Sequence, residues 1–260
     1  MIWEQDVRVI VMLTAEEEGG RIKSHKYWDT DSYGPLKLTR IQERKVSLEP
    51  TSLKTSPKRR SVAASSSPNQ PSSSGAPESV PFVTVRKFTL EHVEKPFIPM
   101  REITQLQYSG WPDLGTPTHP SHVLGLIEHT DAVVRASTTS SDRGPSKRPV
   151  LVHCSAGCGR TGTFCTVDSV INMMKRQMLA NRRRRQSPGD GAELMTQLGI
   201  EDEGDWVARD DEDLVYKAVC EFRDQRISMV QCLQQYVLCY ETVLEWLAKQ
   251  SPVDSGKRKA

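Results

Sequence analysis

At 260 residues the chain is long enough for one large α/β domain or two small ones, and 37% hydrophobic content with a mean hydropathy of −0.52 implies polar insertions within that frame. Lys and Arg number 35 against 33 Asp and Glu, a formal charge of +2 that gives no whole-chain case for nucleic-acid binding. No apolar run nears the ~18–20 residues of a membrane span and no signal peptide follows Met1, so no membrane association and a soluble, cytoplasmic protein are expected. The cysteines (Cys154, Cys158, Cys165, Cys220, Cys232 and Cys239) lack a disulfide-framework spacing and read as reduced thiols.

In chain order, Val7 to Leu13 is apolar on both faces, as a central strand should be. Glu16-Glu17-Glu18-Gly19-Gly20-Arg21-Ile22-Lys23 is a charged turn, and Trp28 reads as a core aromatic. Short strands are expected from Leu36 to Ile41 and from Glu43 to Leu48. Between Thr51 and Val80, ten Ser and four Pro leave too little apolar surface to offset chain entropy, so a disordered insertion is expected at about 51–80. Within it Lys58-Arg59-Arg60-Ser61 reads as a solvated charge run, with a kinase site or a nuclear import signal as the alternatives. Phe82 to Leu90 and Arg101 to Tyr108 read as neighbouring strands of a mixed sheet. The second runs straight into Ser109-Gly110-Trp111-Pro112-Asp113-Leu114-Gly115, which on its own is an ordinary turn. From His119 to Arg135 a helix is expected, with Val123, Leu126, Ile127, Val133 and Val134 at helical spacing. His119, His122 and His129 lack partner ligands and read as solvent or packing residues. A Ser/Thr-rich connector at 136–148 follows.

Pro149 to Gly162 carries the chemistry. Val150-Leu151-Val152 is a short β-branched run, Ser155-Ala156-Gly157-Cys158-Gly159 is small and glycine-rich, and a helical pattern follows. Loop N–H groups and a helix's positive end then converge on one point, which suits an anion. Cys154 is the first residue after the strand, where helix N-termini and cations lower thiol pKa values to ~3.5–7.5. Arg160 offers a planar fork able to grip two oxygens of a phosphoryl group. Metal ligation by His153, Cys154 and Cys158 lacks a second ligand pair, and an inert core thiol sits badly with the glycine loop and Arg160.

Beyond the loop, Phe164, Val167, Ile171, Met174 and Met178 mark one stripe of a helix from about Gly162 to Leu179. An insertion at 181–213 combines the Arg182 to Arg185 run with an acidic stretch from Glu201. Leu214 to Arg226 returns to helix, with Val215, Ala218, Val219 and Phe222 inward. A closing helix presents Leu233, Tyr236, Val237, Tyr240, Val243, Leu244 and Leu247 to the sheet, and 251–260 is a frayed tail.

His153-Cys154-Ser155-Ala156-Gly157-Cys158-Gly159-Arg160-Thr161-Gly162 resembles the signature loop of the cysteine-dependent protein tyrosine phosphatases, in a non-receptor-type, fungal-like form. The resemblance implies an α/β fold with a twisted mixed sheet flanked by helices, one catalytic domain over 1–250, and hydrolysis of phosphotyrosine through a phosphocysteine. It implies Cys154 as nucleophile, Arg160 as phosphoryl ligand, Thr161 as hydroxyl donor to the sulfur and His153 as loop orienter. Ser155, Ala156, Gly157, Cys158 and Gly159 supply the cradle. Trp111-Pro112-Asp113 resembles the mobile acid loop, with Asp113 as general acid and Gly110 and Gly115 as hinges. Glu18 would brace Arg160, Lys23 would stabilise the acid loop, Gln231 would place the hydrolytic water and Gln235 would be a second substrate contact. Cys232 stands where the family usually has Thr.

For Cys158 two readings stand: a thiol that traps oxidised Cys154 as a disulfide, or, favoured, a small side chain tolerated in a variable slot. No cofactor and no metal are implied. The expected partners are phosphotyrosine proteins, phosphorylated kinases among them, and the basic runs leave nuclear import open besides a cytoplasmic place. The match covers the C-terminal two-thirds of a family catalytic domain, and no residue corresponds to the tyrosine that walls the family's pocket. An exposed sheet edge and reduced stability are therefore expected. A phosphotyrosine-binding fragment without turnover and a dual-specificity phosphatase are the alternatives.

Overall fold

The computed structural model describes residues 1–49, 80–138, 148–186 and 211–250. Most of the three expected insertions, the Lys58 to Ser61 run and the tail 251–260 lie outside the described residues. In chain order, β1 is Val9–Met12, and β2 (Glu17–Glu18) and β3 (Arg21–Ile22) pair as a separate hairpin. A 3-10 turn, Tyr27–Asp29, precedes β4 (Ser32–Tyr33), β5 (Leu36–Ser47), β6 (Phe82–His92) and β7 (Arg101–Gln107). Helix α1 (Pro120–Ser137), strand β8 (Val150–His153), and helices α2 (Gly159–Gln186), α3 (Leu214–Gln225) and α4 (Leu233–Gln250) complete the chain.

Six strands form one mixed sheet in the order β4-β5-β6-β7-β1-β8. β1 is parallel to both β7 and β8, while the pairs from β4 to β7 are antiparallel. All four β1 residues are buried, and the period-two alternation sorts them to opposite faces. Val9, Val11 and Leu13 join Val123, Ile127, Phe164 and Val167 beneath α1 and α2, and Ile10 and Met12 meet Trp28, Phe88 and Ile103 on the other side. Among the described residues β4 and β8 form the sheet's two edges, β8 half-buried along its length.

The structure departs from several expectations. The two short strands predicted between Leu36 and Leu48 are one 12-residue strand, β5, with its register shifted between Arg40 and Gln42, a bulge around Ile41 that breaks the sequence alternation. α1 runs two residues past its predicted end. α2 begins at Gly159, so Arg160 sits in its first turn, and continues to Gln186, which makes the backbone of the Arg182 to Arg185 run helical rather than part of an insertion. Phe164, Val167 and Ile171 are buried in α2 as a stripe, joined by Val170, but Met178 is on the surface and Gln177 and Ala180 take the inner positions. The closing helix α4 packs chiefly on α1 and α2 rather than on the sheet, and this changes its inner face. Leu238, Cys239, Thr242, Val243 and Trp246 are buried, whereas Leu233 (73% exposed), Val237 and Leu244 (62%) face outward. α4 is apolar around most of its circumference, so spacing alone did not single out the face.

α2 also carries a half-buried carboxyl, Asp168. Burial, together with the nearby Asp131 carboxylate of α1, pushes it up to about 6, against the pull of Lys175 and Asn172. Below the ordinary aspartate value both folded and unfolded chains hold this proton; as pH rises through about 6, the folded chain must charge a group that burial disfavours, and stability is lost. Asp168→Asn is therefore expected to raise Tm at pH 8 by an amount equivalent to about 2 kcal/mol, and to give no gain near pH 4, in paired thermal melts.

Candidate active site

The site is built where β8 stops. β8 runs beside β1 with Met12 opposite His153, and the chain turns through Cys154 to Cys158 into the buried first turn of α2. Gly157 has φ +69°, a conformation open to glycine, and it swings the Gly157 N–H toward the sulfur. Cys154 is 6% exposed, and its Sγ accepts from Gly157 N (3.3 Å) and from Thr161 Oγ1 (3.2 Å). Burial alone would raise this thiol; the Thr161 hydroxyl and the N–H groups of Thr161, Cys158 and Gly157 outweigh it, and the pKa lies below the ordinary value. The loop amides and one hydroxyl, more than any side-chain cation, favour the thiolate.

Arg160 is almost fully buried, and three of its five N–H donors meet acceptors of this site. Its Nη1 donates to Glu18 Oε1 (2.6 Å) and to the Trp111 carbonyl (2.8 Å), and its Nη2 to Asp113 Oδ1 (3.3 Å). Glu18 is itself held by Thr14 Oγ1 at 2.7 Å. Lys23 Nζ lies 2.6 Å from Asp113 Oδ2, so the Asp113 carboxylate is bracketed by two cations. The hydrogen bond from Lys23 and the charges of Arg160 and Lys23 together hold its carboxyl below the ordinary aspartate value.

The acid-bearing segment is a tight turn. Trp111 is completely buried and donates from Nε1 to the Gly115 carbonyl (2.9 Å), and Gly115 N donates to Pro112 O (3.2 Å). Leu114 sits at φ +56°, a strained conformation for a branched residue. The start of α4 grips this turn through Cys232 Sγ to Leu114 O (3.3 Å) and Gln235 Nε2 to Gly115 O (3.4 Å).

Gln231 is exposed, while Gln235 is 1% exposed and differs from its expected place. The Gln235 amide is taken up by Gly115 O and by the Gln231 N–H (3.0 Å), so it braces two loops rather than facing a substrate. A Cβ at Gly159 would come within 2.8 Å of Gln235 Oε1, and one at Gly162 within 2.4 Å of Val230 N; these glycines let the two loops meet. Ser155 and Ala156 are exposed and, with Lys23, Tyr27, His153, Cys154 and Gly157, line a cavity of about 500 Å³. Cys158 Sγ is half-buried and turns to the Ala156 carbonyl at 3.5 Å.

Two contributors escaped the sequence reading. Arg226 donates from Nε to Gly157 O (3.0 Å) and from Nη2 to Ala156 O (2.8 Å), which turns the loop carbonyls outward and leaves its N–H groups inward. Tyr27 OH meets His153 Nε2 at 3.0 Å, and His153 Nδ1 lies 3.2 Å from Cys154 O. Neither residue has a local pattern; each acts across the fold.

Residues 1–184 and 204–245 match the family model of the protein-tyrosine phosphatases. The chain belongs to that family. It is 26% identical to the human tyrosine-protein phosphatase non-receptor type 9 over 262 residues, covering 99% of this chain and 33% of that protein. To human non-receptor type 14 it is 29% identical over 257 residues, 95% of this chain and 16% of that protein. The chain thus spans a third or less of the length of these curated relatives. Among solved structures, the catalytic domain of human protein tyrosine phosphatase non-receptor type 18 matches at 26% identity with a TM-score of 0.55, over 94% of this chain and 62% of that one. PTPN18 in complex with HER2 phospho-peptides matches at 25% identity and a TM-score of 0.54, over 95% of this chain and 65% of that one.

Loss of the Thr161 hydroxyl removes a hydrogen bond to the buried sulfur of this phosphatase loop. Thr161→Ala is expected to move the apparent pKa of Cys154 up by about one pH unit, read from the pH dependence of iodoacetamide alkylation.

Proposed function

We propose that this chain hydrolyses phosphotyrosine in proteins through a phosphocysteine intermediate. The observation that carries the reading is the sulfur of Cys154, buried yet held below the ordinary thiol pKa by hydrogen bonds from Gly157 and Thr161, with Arg160 and Asp113 in contact beside it. The family match and the fold supply its context.

In the first step the Cys154 thiolate attacks phosphorus, the bond to the tyrosyl oxygen breaks, and Asp113 gives that oxygen its proton. Arg160 and the amides from Ser155 to Gly159 take the charge on the three equatorial oxygens, which is where phosphoryl transfer needs it. In the unliganded geometry Asp113 is a carboxylate paired with Lys23 and Arg160. A bound phosphoryl dianion competes for Arg160 and adds negative charge beside Asp113; both effects raise its pKa and let it carry the proton. In the second step a water placed by Gln231 loses its proton to Asp113 and attacks phosphorus. The P–S bond then breaks, with the Thr161 hydroxyl stabilising the departing thiolate. His153 and Glu18 hold the nucleophile and the guanidinium in place.

The substrates we propose are phosphotyrosine proteins, phosphorylated kinases among them, in cytoplasmic signal transduction. Binding of phospho-peptides by PTPN18, a structural neighbour, supports this class. No helix among the described residues is long and apolar enough to cross a membrane.

Turnover of a phosphotyrosine peptide, followed by phosphate release, tests the reading. Cys154→Ser should abolish it and added EDTA should not. Asp113→Asn should lower kcat by about 10²–10⁴ for the peptide, and by far less for an aryl phosphate whose leaving group needs no proton. Stable binding of the peptide without phosphate release would make the chain a binding module, and equal turnover of phosphothreonine peptides would make it a dual-specificity enzyme.

A further inference from the structure

A line of hydrogen bonds, buried at its start and half-buried at its end, runs from the far face of the sheet to the nucleophile. Arg86 on β6, 6% exposed, is anchored by Glu43 Oε2 at 2.7 Å, by Gln107 Oε1 at 2.6 Å and by the face of Trp28 at 4.3 Å. From there Arg86 Nη1 donates to Gln105 Oε1 (3.1 Å), Gln105 Nε2 donates to Tyr27 OH (2.6 Å), Tyr27 meets His153 Nε2 (3.0 Å), and His153 Nδ1 meets the Cys154 carbonyl (3.2 Å).

The directions of the bonds in this line are set from its two ends, a guanidinium that can only donate and the Cys154 carbonyl that can only accept. Gln105, with no exposed surface, must therefore turn its carbonyl oxygen to Arg86, which leaves its NH₂ for the Tyr27 oxygen. Occupied on that side by a donor, Tyr27 sends its own proton to His153 Nε2. Burial keeps the Tyr27 phenol protonated, with its pKa pushed up to about 12, so the proton is there to give. The neutral His153 ring must then carry its hydrogen on Nδ1, aimed at the carbonyl of Cys154. A flipped Gln105 amide would set an NH₂ against a buried cation and draw the Tyr27 proton to its own oxygen, leaving His153 Nε2 without a donor.

We propose that Gln105, oriented by Arg86, is a positioning residue for the nucleophile: through Tyr27 it selects the Nδ1–H form of His153, and this ring pins the Cys154 carbonyl so that the loop amides stay aimed at the sulfur. The inference rests on Cys154 being the nucleophile, as proposed above. It places determinants of thiolate stability two and three strands away from the strand that leads into the thiol loop, on β7 and β6.

The test is a double-mutant cycle with alkylation of Cys154 by iodoacetamide as the readout. Alkylation needs no turnover, so a chain without phosphatase activity still answers. Gln105→Leu keeps the volume and removes both amide contacts; Tyr27→Phe removes the hydroxyl. Each is expected to raise the apparent pKa of Cys154 by half a pH unit or more, and the double variant by no more than the larger single effect. An unchanged pKa in Gln105→Leu, or additive effects, would overturn the proposal. If Gln105→Leu does not fold, Gln105→Glu decides. Its carboxylate still pairs with Arg86 but accepts the Tyr27 proton, so His153 loses its donor at Nε2. Nitrogen-resolved NMR of the His153 ring should then show protonation of Nε2 and a raised pKa; a ring that keeps the wild-type tautomer and titration would contradict the proposal.

Discussion

The structure depends on a contest at one sulfur atom. Burial of Cys154 disfavours its negative charge, and the N–H groups of Gly157, Cys158 and Thr161 with the Thr161 hydroxyl favour it by more. This balance requires loop amides turned to the sulfur, and the loop carbonyls then need donors from elsewhere. Arg226 supplies them from outside, on Ala156 and Gly157, and His153 does so at Cys154. The parallel placement of β8 beside β1 delivers the loop to the N-terminal end of α2, where the helix's positive pole adds to the same effect.

Around the sulfur the charges are kept in pairs. Arg160, nearly without solvent, would be a costly buried cation if Glu18, the Trp111 carbonyl and Asp113 did not take its N–H groups. The same contacts hold the acid-bearing turn against the loop while the site is empty. Strain concentrates here as well: Leu114, Ser228 and Val230 all have positive φ, and all lie in the two segments that flank the nucleophile loop. Packing supplies what the strain costs, through the fully buried Trp111 and through the close approach of Gly162 to Val230.

What could be read from the sequence was what is written contiguously. The run from His153 to Gly162 carries strand, loop, thiol and guanidinium in ten consecutive residues, and Trp111-Pro112-Asp113 is equally local. The central strand followed from a continuous apolar run, and the α/β fold from the resemblance that the signature loop carries. Arg226, Tyr27, Gln105 and Arg86 were invisible as participants because their contacts form only when segments 19 to 126 residues apart in sequence meet. Gln235 was assigned to substrate by resemblance; its burial follows from the meeting of α4 with the acid turn, a tertiary fact. The inner face of α4 failed for a related reason. A helix apolar on several sides takes its orientation from its neighbours, here α1 and α2, and not from its own pattern.

The central claim is that the sulfur at the end of β8 accepts a phosphoryl group from tyrosine. The most direct measurement is rapid acid quench of the chain mixed with a phosphotyrosine peptide, followed by mass analysis of the proteolytic fragment that contains Cys154. The account predicts a transient gain of one phosphoryl group on that fragment, formed no more slowly than phosphate is released and enriched when Gln231→Ala slows the second step. Phosphate release with no phosphoryl group on Cys154 at any time point, in either form, would contradict it.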